Sequence, residues 1–288
     1  MRKQHLATAI VVAALAPALA ACSGDDSDGD QSATSPTAVS HIHGLGADPA
    51  DGRLYVATHE GVFTPDKEGR PQLVGNSRDD YMGFTVAGAK TFLASGHPAP
   101  GSDGPGNRGL LESTDAGETW KVKSLAGEAD FHALDRVDGT IYGYDSTNGK
   151  VRVSKDGVTW KDRATLPALD IAVNPDDPDT VLATTAQGVA KSTDGARTFA
   201  PGAEPVLAYV SWGAPEALYG LDASGGLHRS TDAGATWKKT GTVPGGQPQA
   251  LTADAKRVLA ATQDGVYESK DGGRTFTKRM AVESTGGH

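Results

Sequence analysis

Short apolar stretches with a small residue at their centre recur along the chain: HGL at His43, MGF at Met82, HAL at His132, IAV at Ile171, VSW at Val210 and QAL at Gln249. Their starts are 39, 50, 39, 39 and 39 residues apart. Each is followed by a second apolar run (LYVAT, TFLAS, IYGYD, VLATT, LYGLD or VLAAT) and then by a shorter third. Apolar runs of this length between Gly, Asp and Pro punctuation predict strands, and a period near 40 residues predicts a repeat architecture. No helical periodicity is seen after residue 40. Six units of four antiparallel strands predict an all-β fold, a six-bladed β-propeller over residues 41–280.

A polar turn closes most units, and its letters repeat more faithfully than the strands do. It reads STDAGETW from Ser113 to Trp120, SKDGVTW from Ser154 to Trp160, STDGARTF from Ser192 to Phe199, STDAGATW from Ser230 to Trp237 and SKDGGRTF from Ser269 to Phe276. The second version is one residue short, and the first unit has only a degenerate TPDKEG from Thr64 to Gly69. The serine and the aspartate two positions later (Asp115, Asp156, Asp194, Asp232, Asp271) are suited to accept turn N–H groups. The glycine supplies a left-handed backbone, and the closing aromatic starts the next strand with a side chain to bury. These turns resemble the Asp-box, or BNR repeat, of sialidase-like β-propellers. In that superfamily the box is a structural staple remote from the active site, so the resemblance implies a fold with Asp-box hairpins rather than a reaction.

The chain starts with Arg2 and Lys3, an apolar run from Leu6 to Ala20 and the string LAAC ending at Cys22. This reads as a secretory leader over residues 1–21, too short for a comfortable membrane span. LAAC is similar to a bacterial lipobox, which implies lipidation of Cys22 and anchoring at the outer face of the cytoplasmic membrane, with the membrane as a partner. Exported bacterial lipoproteins of this kind are often named glycosyl hydrolase-like or exo-sialidase-like. Residues 22–40 read as a disordered acidic tether and residues 281–288 as a flexible tail. Loss of the leader takes the formal charge from −9 to −11, which argues against a nucleic-acid partner. A single cysteine excludes an intramolecular disulfide.

Histidines change the picture more than charge does. Of eight, His41, His43, His59, His97 and His132 fall in the first three units, at strand ends that the antiparallel order brings to one rim of the central channel. His43, Met82 and His132 are equivalent positions of successive units. Five imidazoles and a thioether converging there predict a metal site, with copper favoured by the sulfur and zinc second. A lone histidine is more often a packing residue than a ligand, and Met82 stands where other units have Ile171 and Val210. The repeat equivalence is what favours a common site.

Carboxylates share that rim. Asp80 and Asp130 precede the inner-strand position by two residues, and Asp145 and Asp222 end second strands. Asp80, Asp130 and Asp145 are the candidate acid and base of an alternative reading, a glycoside hydrolase. They equally suit roles as partners that orient imidazoles, or as turn caps. Trp212 replaces Leu45, Phe84 or Leu134 of other units and reads as core. For sialidase activity the resemblance implies an arginine in the first inner strand and two more in later blades. That strand reads HIHGLGA, and Arg136 and Arg163 do not fall at matching positions, so exo-sialidase activity is not expected. The leading expectation is a surface-anchored propeller binding a metal ion or small ligand. The alternatives are a glycan-cleaving enzyme and a scaffold for an exported protein.

Overall fold

The structure, a computed structural model, describes residues 39–282; the expected leader, Cys22, nearly all of the tether and the end of the tail lie outside the described residues. Every sheet is built from consecutive antiparallel strands. Blade one has β1 (Ile42–Ala47), β2 (Leu54–Thr58), β3 (Gly61–Pro65) and β4 (Pro71–Leu73). Blade two has β5 (Asp80–Gly88), β6 (Thr91–His97), β7 (Leu110–Ser113) and β8 (Lys121–Ser124). Blade three has β9 (Phe131–Val137), β10 (Thr140–Asp145), β11 (Lys150–Ser154) and β12 (Trp160–Thr165). Blade four has β13 (Ile171–Val173), β14 (Val181–Thr185) and β15 (Gly188–Ser192). Blade five has β16 (Tyr209–Trp212), β17 (Leu218–Leu221), β18 (Gly226–Ser230) and β19 (Lys238–Thr242). Blade six has β20 (Pro248–Ala253), β21 (Val258–Thr262), β22 (Gly265–Ser269) and β23 (Thr277–Ala281). The six-bladed propeller expected from the repeats is therefore the fold.

Two details depart from the sequence reading. Blade four has three strands rather than four, its outer edge reduced to a single bridge between Val189 and Ala203. Pro201 and Pro205 lie in that segment, and proline has no N–H to give to a ladder. The tether and tail boundaries also move. Val39 and Val282 are both buried, in the cluster that joins blades one and six.

That cluster settles how the ring closes. Each blade is made of one consecutive set of strands, with none shared between the chain ends. Ile42, Val56 and Phe63 of blade one pack against Leu259, Val266 and Met280 of blade six. Five further clusters join the remaining neighbours in the same way, so the core is a ring of interfaces between sheets. Trp212 is buried in the one joining blades four and five, as expected.

The innermost strand of each blade presents an open edge to the channel, and an unpaired edge amide is costly when buried. Side chains of neighbouring blades accept these N–H groups. Ser95 Oγ accepts from Phe131 at 3.0 Å, Asp135 Oδ2 from Val173 at 2.8 Å and Asp170 Oδ2 from Val210 at 2.9 Å. Ser211 Oγ accepts from Ala253 at 2.9 Å, and Gln249 Oε1 from Ile42 at 3.1 Å, which latches the last blade to the first.

Four of the five Ser-x-Asp turns join third and fourth strands and the one at Ser192 follows the third and last strand of blade four, all on the face opposite the histidine rim. In the second blade Ser113 Oγ donates to Asp115 Oδ1 at 2.8 Å and accepts from Gly117 N at 2.8 Å. Asp115 accepts Thr119 N at 3.0 Å and the Thr119 hydroxyl at 2.6 Å. Asp194, Asp232 and Asp271 repeat this pattern. Trp160 stacks on Phe131 with ring centroids 4.9 Å apart, which ties a turn to the inner strand of its own blade.

These turns carry a pH signature. In Asp232 the Thr236 hydroxyl and N–H and the Ser230 hydroxyl hold the carboxyl down to about 2, from an ordinary 3.8. A depressed folded pKa means that the ionised form stabilises the fold above the unfolded pKa, and that this contribution is lost as pH falls through the folded value. The melting-temperature gap between the wild type and Asp232→Asn should be full above pH ~4 and should close toward pH ~2. A gap that stays constant across that window would refute this role for the ionised carboxylate.

Candidate metal centre

The rim begins with a repeated irregularity. In blade one, Ile42 pairs with Thr58 and Gly44 with Ala57, leaving His43 as an extra residue. Met82 is bulged between Tyr81 and Gly83, and His132 between Phe131 and Ala133. Blade six repeats this at Gln249, whereas Ile171 and Val210 pair regularly. A β-bulge re-aims the extra side chain. His43 and His132 both line the central channel, a cavity of about 860 Å³.

The histidines meet in two groups rather than in the single site expected. In the first, His59 Nδ1 lies 2.9 Å from Asp80 Oδ2 and 3.5 Å from His43 Nε2, and His43 Nε2 lies 3.8 Å from Asp80 Oδ1. In the second, His132 Nε2 lies 2.7 Å and His97 Nε2 3.6 Å from Asp130 Oδ2. Within each group the three donor atoms lie within 4.8 Å of one another, a spacing able to hold a metal ion. The separation is set by the ring, since each group is assembled across one blade boundary: one to two, and two to three.

His41 stands beside the first group, its ring 4.8 Å from that of His43 and 5.6 Å from that of His59, without being one of the three donors. Met82 occupies the blade-two bulge, partly exposed, two residues after Asp80. Asp80 and Asp130, read from sequence as candidate acids or bases, supply the third donor of each group. Asp145 does not join them. It is fully buried, its Oδ2 lies 2.9 Å from Arg152 Nε and accepts from Asn148 Nδ2 at 2.8 Å, and its Oδ1 accepts Asp130 N at 3.3 Å. Asp145 therefore supports the second group from beneath. Asp222, at the end of β17, pairs with His228 at 2.9 Å in blade five.

A further layer orients the donors. Asp130 Oδ2 also accepts the Ser146 hydroxyl at 3.0 Å. His97 Nδ1 lies 2.9 Å from the Gly106 carbonyl, an acceptor, so its N–H donates there and the ring is turned with Nε2 facing Asp130. Gly106 belongs to the Gly/Pro-rich β6–β7 loop, residues 98–109, which lies within the 50-residue step of the repeat. That loop is pinned by Arg108 to Asp79 at 3.1 Å and by Asn107 to Thr147 at 3.2 Å. The extra residues that break the repeat spacing thus build one wall of the site.

Protonation favours ligation. Burial, reinforced by His59, His41 and His132, pushes His43 down to about 3, so its imidazole is neutral. Burial followed by His59 also lowers His41. Burial alone would raise Asp130, but the hydrogen bond and charge of His132, with His97 and Ser146, bring it below the ordinary value. Neutral imidazole and ionised carboxylate are the forms that bind metals. Asp80 Oδ1 and Asp130 Oδ1 are buried without a hydrogen-bond partner, and such atoms call for one.

No protein-family model and no curated protein matches the chain. Among solved structures it is similar to a GH74 enzyme from Niastella koreensis, with TM-score 0.60 and 16% identity over 85% of this chain and 46% of that one. It is also similar to virginiamycin B lyase from Staphylococcus aureus, with TM-score 0.56 and 12% identity over 86% of this chain and 85% of that one. YCF48 from Cyanidioschyzon merolae gives TM-score 0.50 and 17% identity over 86% and 88%. The chain spans less than half the length of the GH74 enzymes it resembles. At these identities the likeness is one of fold, and it joins proteins of different activities.

Proposed function

We propose that this chain is an exported, lipid-anchored propeller of the Asp-box, sialidase-like type that binds a transition-metal ion at its histidine rim. The observation that carries the reading is the pair of carboxylates Asp80 and Asp130. Each is held among imidazoles and each keeps one buried oxygen without a partner. Copper is the first choice and zinc the second, because imidazole and carboxylate sites bind Cu²⁺ more tightly than Zn²⁺. The lipobox-like string ending at Cys22 and the acidic residues after it support export and anchoring.

The glycoside hydrolase alternative draws on the GH74 likeness in fold and on the same two carboxylates. A general acid works best with its pKa raised toward the operating pH. Asp130 is shifted the other way, by its histidines and Ser146. That shift suits a metal ligand and does not suit the general acid of a hydrolase.

Elemental analysis of the full chain, purified without an affinity tag from medium containing copper and zinc, tests the proposal. Bound metal is expected in the wild type, with a loss of half or more in His43→Ala and in His132→Ala at unchanged melting. Equal metal content in all three proteins would refute it.

A further inference from the structure

The rim has a property that a single-ion site would not need: its donors are divided. His43, His59 and Asp80 form one set of three, and His97, Asp130 and His132 form another. The sets share no residue, and each has two imidazoles, one carboxylate and its own unpartnered carboxylate oxygen. They are also contiguous. Asp80 of the first set and His97 of the second are direct partners in the β5–β6 pairing, which places their Cα atoms roughly 4.5–5.5 Å apart.

We infer that the rim is a two-ion centre, with one transition-metal dication on each His₂Asp set and both ions facing the mouth of one channel. This rests on the metal-binding reading proposed above and adds its stoichiometry and division of labour. Each ion takes three protein ligands, one fewer than a four-coordinate site and three fewer than a six-coordinate site require, so each retains at least one exchangeable position. Ion binding replaces the contacts that the donors make with one another, His59 with Asp80 and His132 with Asp130. Gly96 permits the close approach between the sets. A Cβ there would lie 1.8 Å from the Asp80 carbonyl oxygen, so the two sets are kept adjacent by a position with no room for a side chain.

The test uses the full untagged chain, stripped with a chelator and titrated with Co²⁺, whose visible absorption reports the ligand field, with elemental analysis after gel filtration. Two equivalents per chain are expected for the wild type and for His228→Ala, which alters a histidine outside both sets. His59→Ala and His97→Ala should each retain one equivalent, with different residual spectra, and the double variant should retain none. Circular dichroism and melting establish that all variants are folded. One equivalent in the wild type, lost in either single variant, would overturn the two-ion inference while leaving the metal-binding reading standing. Failure of the wild type to hold any ion would overturn both.

Discussion

Gly96→Ala is expected to destabilise the protein by about 2–6 kcal/mol, combining left-handed backbone strain with overpacking, and to abolish metal retention at both donor sets. Gly96 has φ +149°, and the atoms nearest a Cβ are all backbone: Asp80 O at 1.8 Å, then Asp80 C and Met82 N at 2.9 Å. Backbone cannot swing aside as a side-chain tip can. Relief would have to come from separating β5 from β6 at the Asp80–His97 pair, which holds one donor of each set. Denaturant unfolding gives the stability change and elemental analysis the metal loss. A variant with wild-type stability and full metal content would show that the close approach is not needed.

The second large effect is expected at Asp145, which separates a supporting role from a chemical one. Asp145→Ala removes a fully buried carboxylate and leaves Arg152 beneath the rim without its nearest partner. Breaking a buried ion pair costs about 3–5 kcal/mol, and about 3 is appropriate here because Asp162 Oδ1 remains 3.7 Å from the same guanidinium. Metal content at the second set should fall as well, since Asp145 Oδ1 accepts the Asp130 N–H. Asp145→Asn retains an acceptor oxygen and should recover much of that metal while remaining less stable than the wild type. Unchanged unfolding in Asp145→Ala, accompanied by loss of a hydrolytic turnover, would instead favour the carboxylate as a catalyst.

The fold could be read from spacing because each blade repeats the same solution. One small residue sits at the centre of each inner strand, and one Ser-x-Asp turn closes each of the last five blades. Blade number needs only a count. The missing outer strand of blade four was written in Pro201 and Pro205, but edge strands carry so little of the hydrophobic pattern that periodicity does not separate a strand from a single bridge. Ring closure depends on Val39 and Val282, two apolar residues in segments whose composition otherwise reads as tether and tail.

The candidate site was legible as a bias of histidines toward one rim, and the equivalence of His43, Met82 and His132 pointed to the blades whose histidines and aspartates meet. Its division into two sets was not. That division depends on the Asp80–His97 register and on the bulges, and register is a property of pairing rather than of either strand alone. One signal for the bulges was present: the inner-strand position is His, Met or Gln where the strand is bulged and Ile or Val where it pairs regularly. The place of Asp80 and Asp130 in the two groups followed the same logic. Both were placed on the rim by spacing, but only the fold shows that each meets a histidine of a neighbouring blade.

The claim that the first three blades build a metal centre is tested most directly by anomalous diffraction from crystals of the untagged protein, with data collected on either side of the copper and zinc edges. The expected map has one peak enclosed by His43, His59 and Asp80 and a second enclosed by His97, Asp130 and His132. A map with no peak at either place, from protein shown to be folded and supplied with both metals, would contradict it.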